Sequence, residues 1–328
     1  MTFAPSHWPS TPSRSKRLLE FQASARFRER PETLSPFWVT HGAATFVLPQ
    51  PSETTVFAGF AFGAPGERVG VRPVPGPAGL WRSAGRLGVR VAAAAERKEA
   101  AALRARAEDA FRPGPALDRT LEALPPFAEL AQTRPTAALA LLRYATYLNT
   151  VVPQAQGARR ILEIGSGAGL VSLGLRRFLG ARCVLLDLPE MLAVAFPVLA
   201  AYEGEDAVTL PHEIGATLPE TPYVLLTPSQ AGLIADGSVD LALNTASFQE
   251  MTYEAIGGYF ELLRRALARG GLFYCVNDER CEKVEGAPIE FDRYPWPDEW
   301  ETVLDRPFDY SLRVMGSRER ERLIRAPA

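Results

Sequence analysis

Glu163, three glycines at alternate positions (Gly165, Gly167, Gly169) and Asp187 are the residues whose types and spacing could do chemistry. They lie in Arg160 to Pro189, RILEIGSGAGLVSLGLRRFLGARCVLLDLP. Glycines tolerate positive φ and let a ligand approach the backbone closely. A helix beginning just after them turns its positive end toward the same place. An acid ending the next apolar run suits the paired hydroxyls of a ribose. Together these features describe a site for a nucleotide-type cofactor.

The elements that must position these groups are legible around them. Ile161, Leu162 and Ile164 form a short apolar run bounded by glycine, which predicts a parallel strand buried on both faces. Glu163 interrupts it, and a carboxylate there needs a partner. A helix is expected from about Leu170 to Leu179 with Gly180 as its C-cap. Cys183 to Leu186 is the second strand, followed by a helix from about Glu190 to Tyr202 that Pro197 should bend or interrupt. Tyr223 to Thr227 and Val208 to Leu210 compete as the third strand, with the later run preferred for its short distance to the fourth, Val239 to Asn244. A helix over Tyr253 to Ala268 carries Ile256, Tyr259, Phe260, Leu263 and Leu267 at helical spacing, and Arg269 to Gly271 should end it before a fifth strand, Leu272 to Val276. Tyr310 to Val314 and Arg320 to Arg325 read as a terminal hairpin. This alternation predicts a doubly wound α/β sheet with helices on both faces.

Dinucleotide sites use G-x-G-x-x-G, whereas this chain has Glu163-x-Gly165-x-Gly167-x-Gly169. The acid-first, alternate-glycine spacing resembles motif I of the class I S-adenosylmethionine-dependent methyltransferases. That resemblance implies a Rossmann-like seven-stranded sheet and S-adenosyl-L-methionine as cofactor. It implies that Glu163, Gly165, Ser166, Gly167 and Gly169 contact the methionine part, with Asp187 and Leu188 at the ribose. It also implies that Ser229 and Gln230, after the third strand, lie near the adenine; ordinary turn chemistry and capping explain them equally well. The segments LNTASFQEM (243–251), DLPEM (187–191), LFYCVND (272–278) and FDRYPWP (291–297) further resemble a sugar O-methyltransferase family of bacterial gene sets. The first resemblance covers roughly 155–328. The second implies methyl transfer to a hydroxyl of a sugar or sugar-bearing small molecule.

In-line displacement at a sulfonium needs an aligned acceptor oxygen and a receiver for its proton. Asn244 could position cofactor or hydroxyl. Glu250 could be the base or a sugar anchor, or merely an acid complementing a helix N-terminus. His212, in LPHEIGATLPETP, is a further candidate base, against an exposed loop histidine as the alternative; His41 is comparable. Asn277 and Asp278 end the fifth strand. Tyr294, Trp296 and Trp300 could face a sugar ring or simply pack. Arg143, Tyr144 and Tyr147 lie on a helix that could lid the cofactor. No His, Asp and Glu cluster has metal-ligand spacing. Two rivals stay open: a nicotinamide-dependent oxidoreductase, which lacks its glycine spacing here, and a non-catalytic binding protein that keeps the fold.

The whole chain has 328 residues, 47% of them hydrophobic, enough for a sizeable core. Lys plus Arg number 36 against 38 Asp plus Glu, so the global field does not attract nucleic acid. The basic cluster Arg14 to Arg30 is interleaved with acids and reads as a solvated helix face. Three cysteines without ligand spacing, and the absence of an apolar leader or span, point to a cytoplasmic protein without a membrane partner. Abundant Ala, Arg, Gly and Pro suggest a bacterial genome. Residues 1–150 read as a mainly helical cap or homodimerisation region, with helices near 14–29, 89–111, 117–130 and 136–148, and 151–328 as the cofactor-binding domain.

Overall fold

The computed structural model describes residues 12–29, 46–49, 54–57, 135–282 and 288–328. The segments expected as helices at 89–111 and 117–130, the loop at 59–88, and His41 lie outside the described residues. The chain divides into two compact units. One comprises 1–69, 150–308 and 317–328; the other comprises 70–149 and 309–316.

The first unit is built on a sheet of eight strands, one more than the family resemblance implies. Its strands are β3 (Arg160–Ile164), β4 (Arg182–Leu186), β5 (Val208–Thr209), β6 (Tyr223–Leu226), β7 (Val239–Thr245), β8 (Leu267–Asp278), β11 (Glu301–Pro307) and β12 (Glu319–Arg325). They lie in the order β11-β12-β8-β7-β3-β4-β6-β5. From β8 to β5 neighbours are parallel, whereas β12 runs antiparallel to both β8 and β11. Both candidates for the third strand are therefore present: β6 is central and β5 adds a short outer edge. Among the described residues, two short ladders, β1–β2 (Phe46–Pro49, Thr54–Phe57) and β9–β10 (Arg280–Cys281, Ile289–Glu290), complete the strands.

Helices connect the parallel strands. α1 (Pro12–Ala23) and α2 (Ala25–Arg28) precede the sheet, and α3 (Pro135–Gln154) leads into it. α4 (Leu170–Leu179) ends at Gly180, whose φ of 67° allows its N–H to close on Arg176 O. α5 (Pro189–Glu203) runs unbroken through Pro197. This helix is apolar on nearly every side, because α1 and α2 cover the face that the sheet leaves bare. Arg17 holds that cover: it donates to the Glu213 carboxylate at 2.7 and 2.6 Å, to Glu205 O and Val208 O, and lies 4.8 Å above the Phe196 ring.

Two expected boundaries moved. α6 (Tyr253–Ala266) passes straight into β8 at Leu267, and Gly270 and Gly271 sit inside the strand, where the register against β7 slips. The strand paired with β12 is Glu301–Pro307 rather than Tyr310–Val314, which is helical and closes on Gly316 at φ 70°. β11 escaped notice because its side chains are polar; Asp305 pairs with Arg320 and Arg322, and Glu301 with Arg325. An edge strand held by charges carries no apolar alternation.

The principal core lies between the sheet and α6. Phe248, Phe260, Phe273, Phe291, Tyr294 and Trp296 form one aromatic cluster with centroids 5.1–6.3 Å apart. Trp296 Nε1 donates to Phe291 O, and Trp300 is 8% exposed. The aromatics of the C-terminal segment are thus core. Phe260 is fully buried among Phe248, Phe273 and Trp296, so Phe260→Ala should lower unfolding stability by about 3–5 kcal/mol in urea denaturation. A loss under about 1 kcal/mol would show that this cluster does not carry the core.

Candidate cofactor site

The strand order reverses between β3 and β7, and the crevice outside the carboxyl ends at such a switch point is where open α/β sheets hold ligands. Glu163, Gly165, Ser166, Gly167, Gly169, Asp187, Leu188, Ser229, Gln230, Asn244 and Glu250 all stand along this one edge, at or just after the carboxyl ends of β7, β3, β4 and β6.

Asp187 organises its centre. Its Oδ2 accepts from Gly167 N at 2.7 Å and from Ser166 Oγ at 3.5 Å, and its Oδ1 accepts from Leu188 N at 2.7 Å. The acid ending one strand therefore ties down the glycine loop leaving the next. Burial, with a smaller contribution from Glu190 in the first turn of α5, pushes its pKa up to about 7 against these three bonds. Glu163 is 1% exposed and accepts from Ser172 N at 3.1 Å and Ser172 Oγ at 2.5 Å. Its carboxylate thus caps the first turn of α4, and desolvation raises its pKa to about 8. The partner demanded by a carboxylate in a buried strand is this serine, on the helix that the glycine loop begins.

The glycines differ in purpose. At Gly165 (φ 71°) a Cβ would collide with Ser247 Oγ, while at Gly169 (φ 75°) it would meet Leu185 and Leu199 at 3.0–3.3 Å. At Gly167 (φ 54°) an added Cβ meets nothing within 4 Å. Two glycines allow close packing, and the middle one leaves its outer side open.

Asn244 is fully buried and wholly engaged. Its Nδ2 donates to Ile164 O at 3.0 Å and to Ser247 Oγ at 2.5 Å; its Oδ1 accepts from Phe248 N at 3.2 Å and Asn277 Nδ2 at 2.8 Å. Two donors and two acceptor directions are all an amide has. Asn277 continues the network by accepting from Gln249 N, and Gln249 Oε1 accepts from Asp278 N. These bonds fix the turn Phe248–Glu250, which carries Glu250 beside the crevice. Ala246 adopts φ 55° to enter it.

At the end of β6, Gln230 makes a reciprocal cap: Oε1 accepts from Thr227 N and Oγ1, both at 3.1 Å, and Nε2 donates to Pro211 O. Ser229 Oγ donates to Glu29, which also accepts from Thr227 Oγ1 at 3.2 Å and Arg26 at 2.8 Å. His212 follows β5 in the turn Pro211–Glu213, where its ring stacks on Phe21 at 5.7 Å. Burial lowers its pKa, and its Nδ1 has no hydrogen-bond partner among the described residues. In the second unit Arg143 donates to Tyr147 OH and lies over its ring. Ser172, Ser247 and Glu29 contact the predicted residues Glu163, Asn244 and Ser229 and were not among the residues expected from the sequence. Ser172 had a signal, a serine in the first turn of the helix after a strand acid. Glu29 had none, being 200 residues from Ser229.

No group of three or more His, Cys, Asp or Glu among the described residues could hold a metal, and no helix among them is long and apolar enough to cross a membrane. No family model matches the chain, and no curated protein matches it in sequence. Solved structures align with part of the chain. A candidate sarcosine dimethylglycine methyltransferase from Galdieria sulphuraria aligns at TM-score 0.44 and 12% identity, over 58% of this chain and 88% of its own. The Burkholderia thailandensis 1,6-didemethyltoxoflavin-N1-methyltransferase aligns at 0.42 and 14%, over 66% and 92%. The [4+2]-cyclase SpnF aligns at 0.39 and 16%, over 56% and 81%. Strand order and register, rather than these likenesses, define the fold class: a doubly wound, mostly parallel, Rossmann-like sheet.

Both site carboxyls bind protons more tightly folded than unfolded. Between the ordinary aspartate value of 3.8 and about 7 the folded state holds the extra proton of Asp187, so stability contributed there falls as pH rises. Asp187→Asn should flatten that part of a urea-midpoint profile. An equally steep fall in the variant would assign the slope elsewhere. Gly165→Ala should destabilise by about 1–3 kcal/mol, and Ser247→Gly should recover part of the loss by removing the colliding hydroxyl.

Proposed function

We propose that this chain is an S-adenosylmethionine-dependent O-methyltransferase whose acceptor is a hydroxyl of a sugar or sugar-bearing small molecule. The observation that carries the donor half is the Asp187 carboxylate bound to the Gly167 N–H at the adjoining ends of β3 and β4. The residues fit the cofactor. A carboxylate at a strand end offers acceptors to two vicinal hydroxyls, Gly167 leaves space above the loop, and the start of α4 faces it. The glycine loop lacks the pyrophosphate spacing, which favours S-adenosylmethionine over a nicotinamide dinucleotide.

When bound, S-adenosylmethionine supplies a methyl group on a sulfonium, open to in-line displacement. The chain's own residues then divide the work. Gly165 to Gly169 hold the donor's amino-acid end against backbone, and Asp187, oriented by Leu188 N, anchors the ribose. Asn244, with every hydrogen-bonding direction taken, positions the turn after β7 rather than touching the reactants. Glu250, on that turn, receives the hydroxyl proton. His212 is assigned no step, since its ring is committed to Phe21. The sugar acceptor is supported by the segments 187–191, 243–251, 272–278 and 291–297, three of which end or follow strands on the crevice edge.

Calorimetry with S-adenosylmethionine, S-adenosylhomocysteine and NADH tests the donor; tight binding of NADH alone would overturn it. Asp187→Ala should weaken S-adenosylhomocysteine binding by at least about tenfold, since hydrogen bonds to a charged group are lost. Incubation with labelled cofactor and a panel of nucleotide sugars tests the acceptor. Glu250→Gln should leave cofactor affinity unchanged and lower turnover by about 10²–10⁴. Normal turnover would remove Glu250 from the mechanism.

A further inference from the structure

β3, β4 and β6 are adjacent, parallel and in step: Ile164 pairs with Leu186, and Leu186 with Leu226. Neighbouring strands lie about 4.8 Å apart. With the glycine loop at the end of β3 and a ribose on Asp187 at the end of β4, a base joined to that ribose has one further strand end to lie over. That end is β6, on the side away from the glycine loop.

The polar groups there are unusual in origin. Gln230 is spent on Thr227 and Pro211. The charged groups brought to this end are Arg26 of α2, which donates to Ser229 Oγ at 3.4 Å, and Glu29, the residue that follows α2; both come from outside the sheet. Glu29 Oε2 accepts from Ser229 Oγ and Thr227 Oγ1, and its Oε1 from Arg26. These bonds hold the carboxylate below the usual glutamate range in spite of its partial burial. A carboxylate has about four lone-pair directions and no donor, so opposite the 6-position of a purine it accepts from an amine and repels a carbonyl oxygen. The exocyclic amine of adenine meets that demand; the oxygen of guanine or hypoxanthine does not.

The placement of α2 does not depend on Glu29. α1 is fastened separately, by Arg17 on Glu213, Glu205 O and Val208 O, by Arg14 on Ala200 O, and by Phe21 against His212.

We infer that Glu29 is a specificity residue, carried by the N-terminal helices to the end of β6 to accept from the 6-amino group of the cofactor's adenine. This rests on the adenosyl reading of the site. Ser229 and Thr227 orient the carboxylate and Arg26 keeps it charged. Part of the region expected as a cap thereby completes the cofactor site.

The test is calorimetry on the full chain with S-adenosylhomocysteine and with its 6-deamino analogue, in which hydrogen replaces the amine. The wild-type protein should favour the amino form by roughly ten- to a hundredfold, the range for a hydrogen bond to a charged group. Glu29→Ala should bring the two ligands within about threefold and leave affinity for the 6-deamino analogue unchanged, with Glu29→Gln between. Equal weakening of both ligands would make Glu29 merely structural, and an unchanged preference would remove it from the base; either overturns the proposal. A wild-type protein that binds neither ligand overturns the adenosyl reading itself.

Discussion

The structure depends on one arrangement: a desolvated carboxylate at a strand end, satisfied by the backbone of the neighbouring loop. Asp187 is that group, and Gly167 N–H and Leu188 N–H are its main partners. A carboxylate taken out of water must find donors, and the donors nearest a parallel strand end are the amides of the turn beside it. Only a loop able to adopt positive φ can turn its amides inward, which is why Gly165, Gly167 and Gly169 all do so. Glu163 repeats the solution one strand over by taking Ser172 from α4. The two acids lie close enough that Asp187 raises the pKa of Glu163. Neither is tolerated for stability; each makes the folded state harder to keep as pH rises. Such a cost at the carboxyl edge of a parallel sheet is the mark of a candidate functional site.

That centre was legible because its elements are local. A strand, a glycine loop, a helix and a second strand fall within 160–187, and each obeys a short-range rule. The central strands β3, β4, β6, β7 and β8 were legible for the same reason, being apolar runs bounded by glycine, proline or charge. The misses share a cause as well. β11 is an edge held by ion pairs, so its alternation is of charges. Tyr310–Val314 has a strand's composition but is closed by Gly316 into a helix, and composition does not weigh a C-cap against β-propensity. Gly270 and Gly271 read as a helix stop and a loop; they are instead a register slip within one long strand. The roles of Ser247 and Glu29 arise from contacts made across the fold, for which no spacing rule exists.

Asn244 shows how a polar residue at a strand end can be wholly engaged by its neighbours. An amide at the end of the fourth parallel strand is well placed to touch a ligand. Here all its directions are consumed: by Ile164 of β3, by Ser247 and Phe248 of the following turn, and by Asn277 of β8. It locks three strand ends together at the point where the strand order reverses. Partly satisfied, such a buried network would be a liability; fully satisfied, it specifies one geometry. The turn that carries Glu250 inherits that rigidity, and the collision that any side chain at Gly165 would have with Ser247 keeps the two loops in contact.

The edge therefore divides into a rigid part and an added part. β3, β4 and β7 carry groups whose positions follow from ladder register and buried hydrogen bonds. The end of β6 is finished by α1 and α2, which reach it from the other end of the chain and are held by Arg17 and Arg14. These helices have a reason to be there apart from any ligand, since α5 is apolar on the face they cover and would otherwise expose Phe196 and its neighbours. Burial of α5 and completion of the end of β6 are thus one event. The core requires the cover, and the cover delivers Arg26 and Glu29.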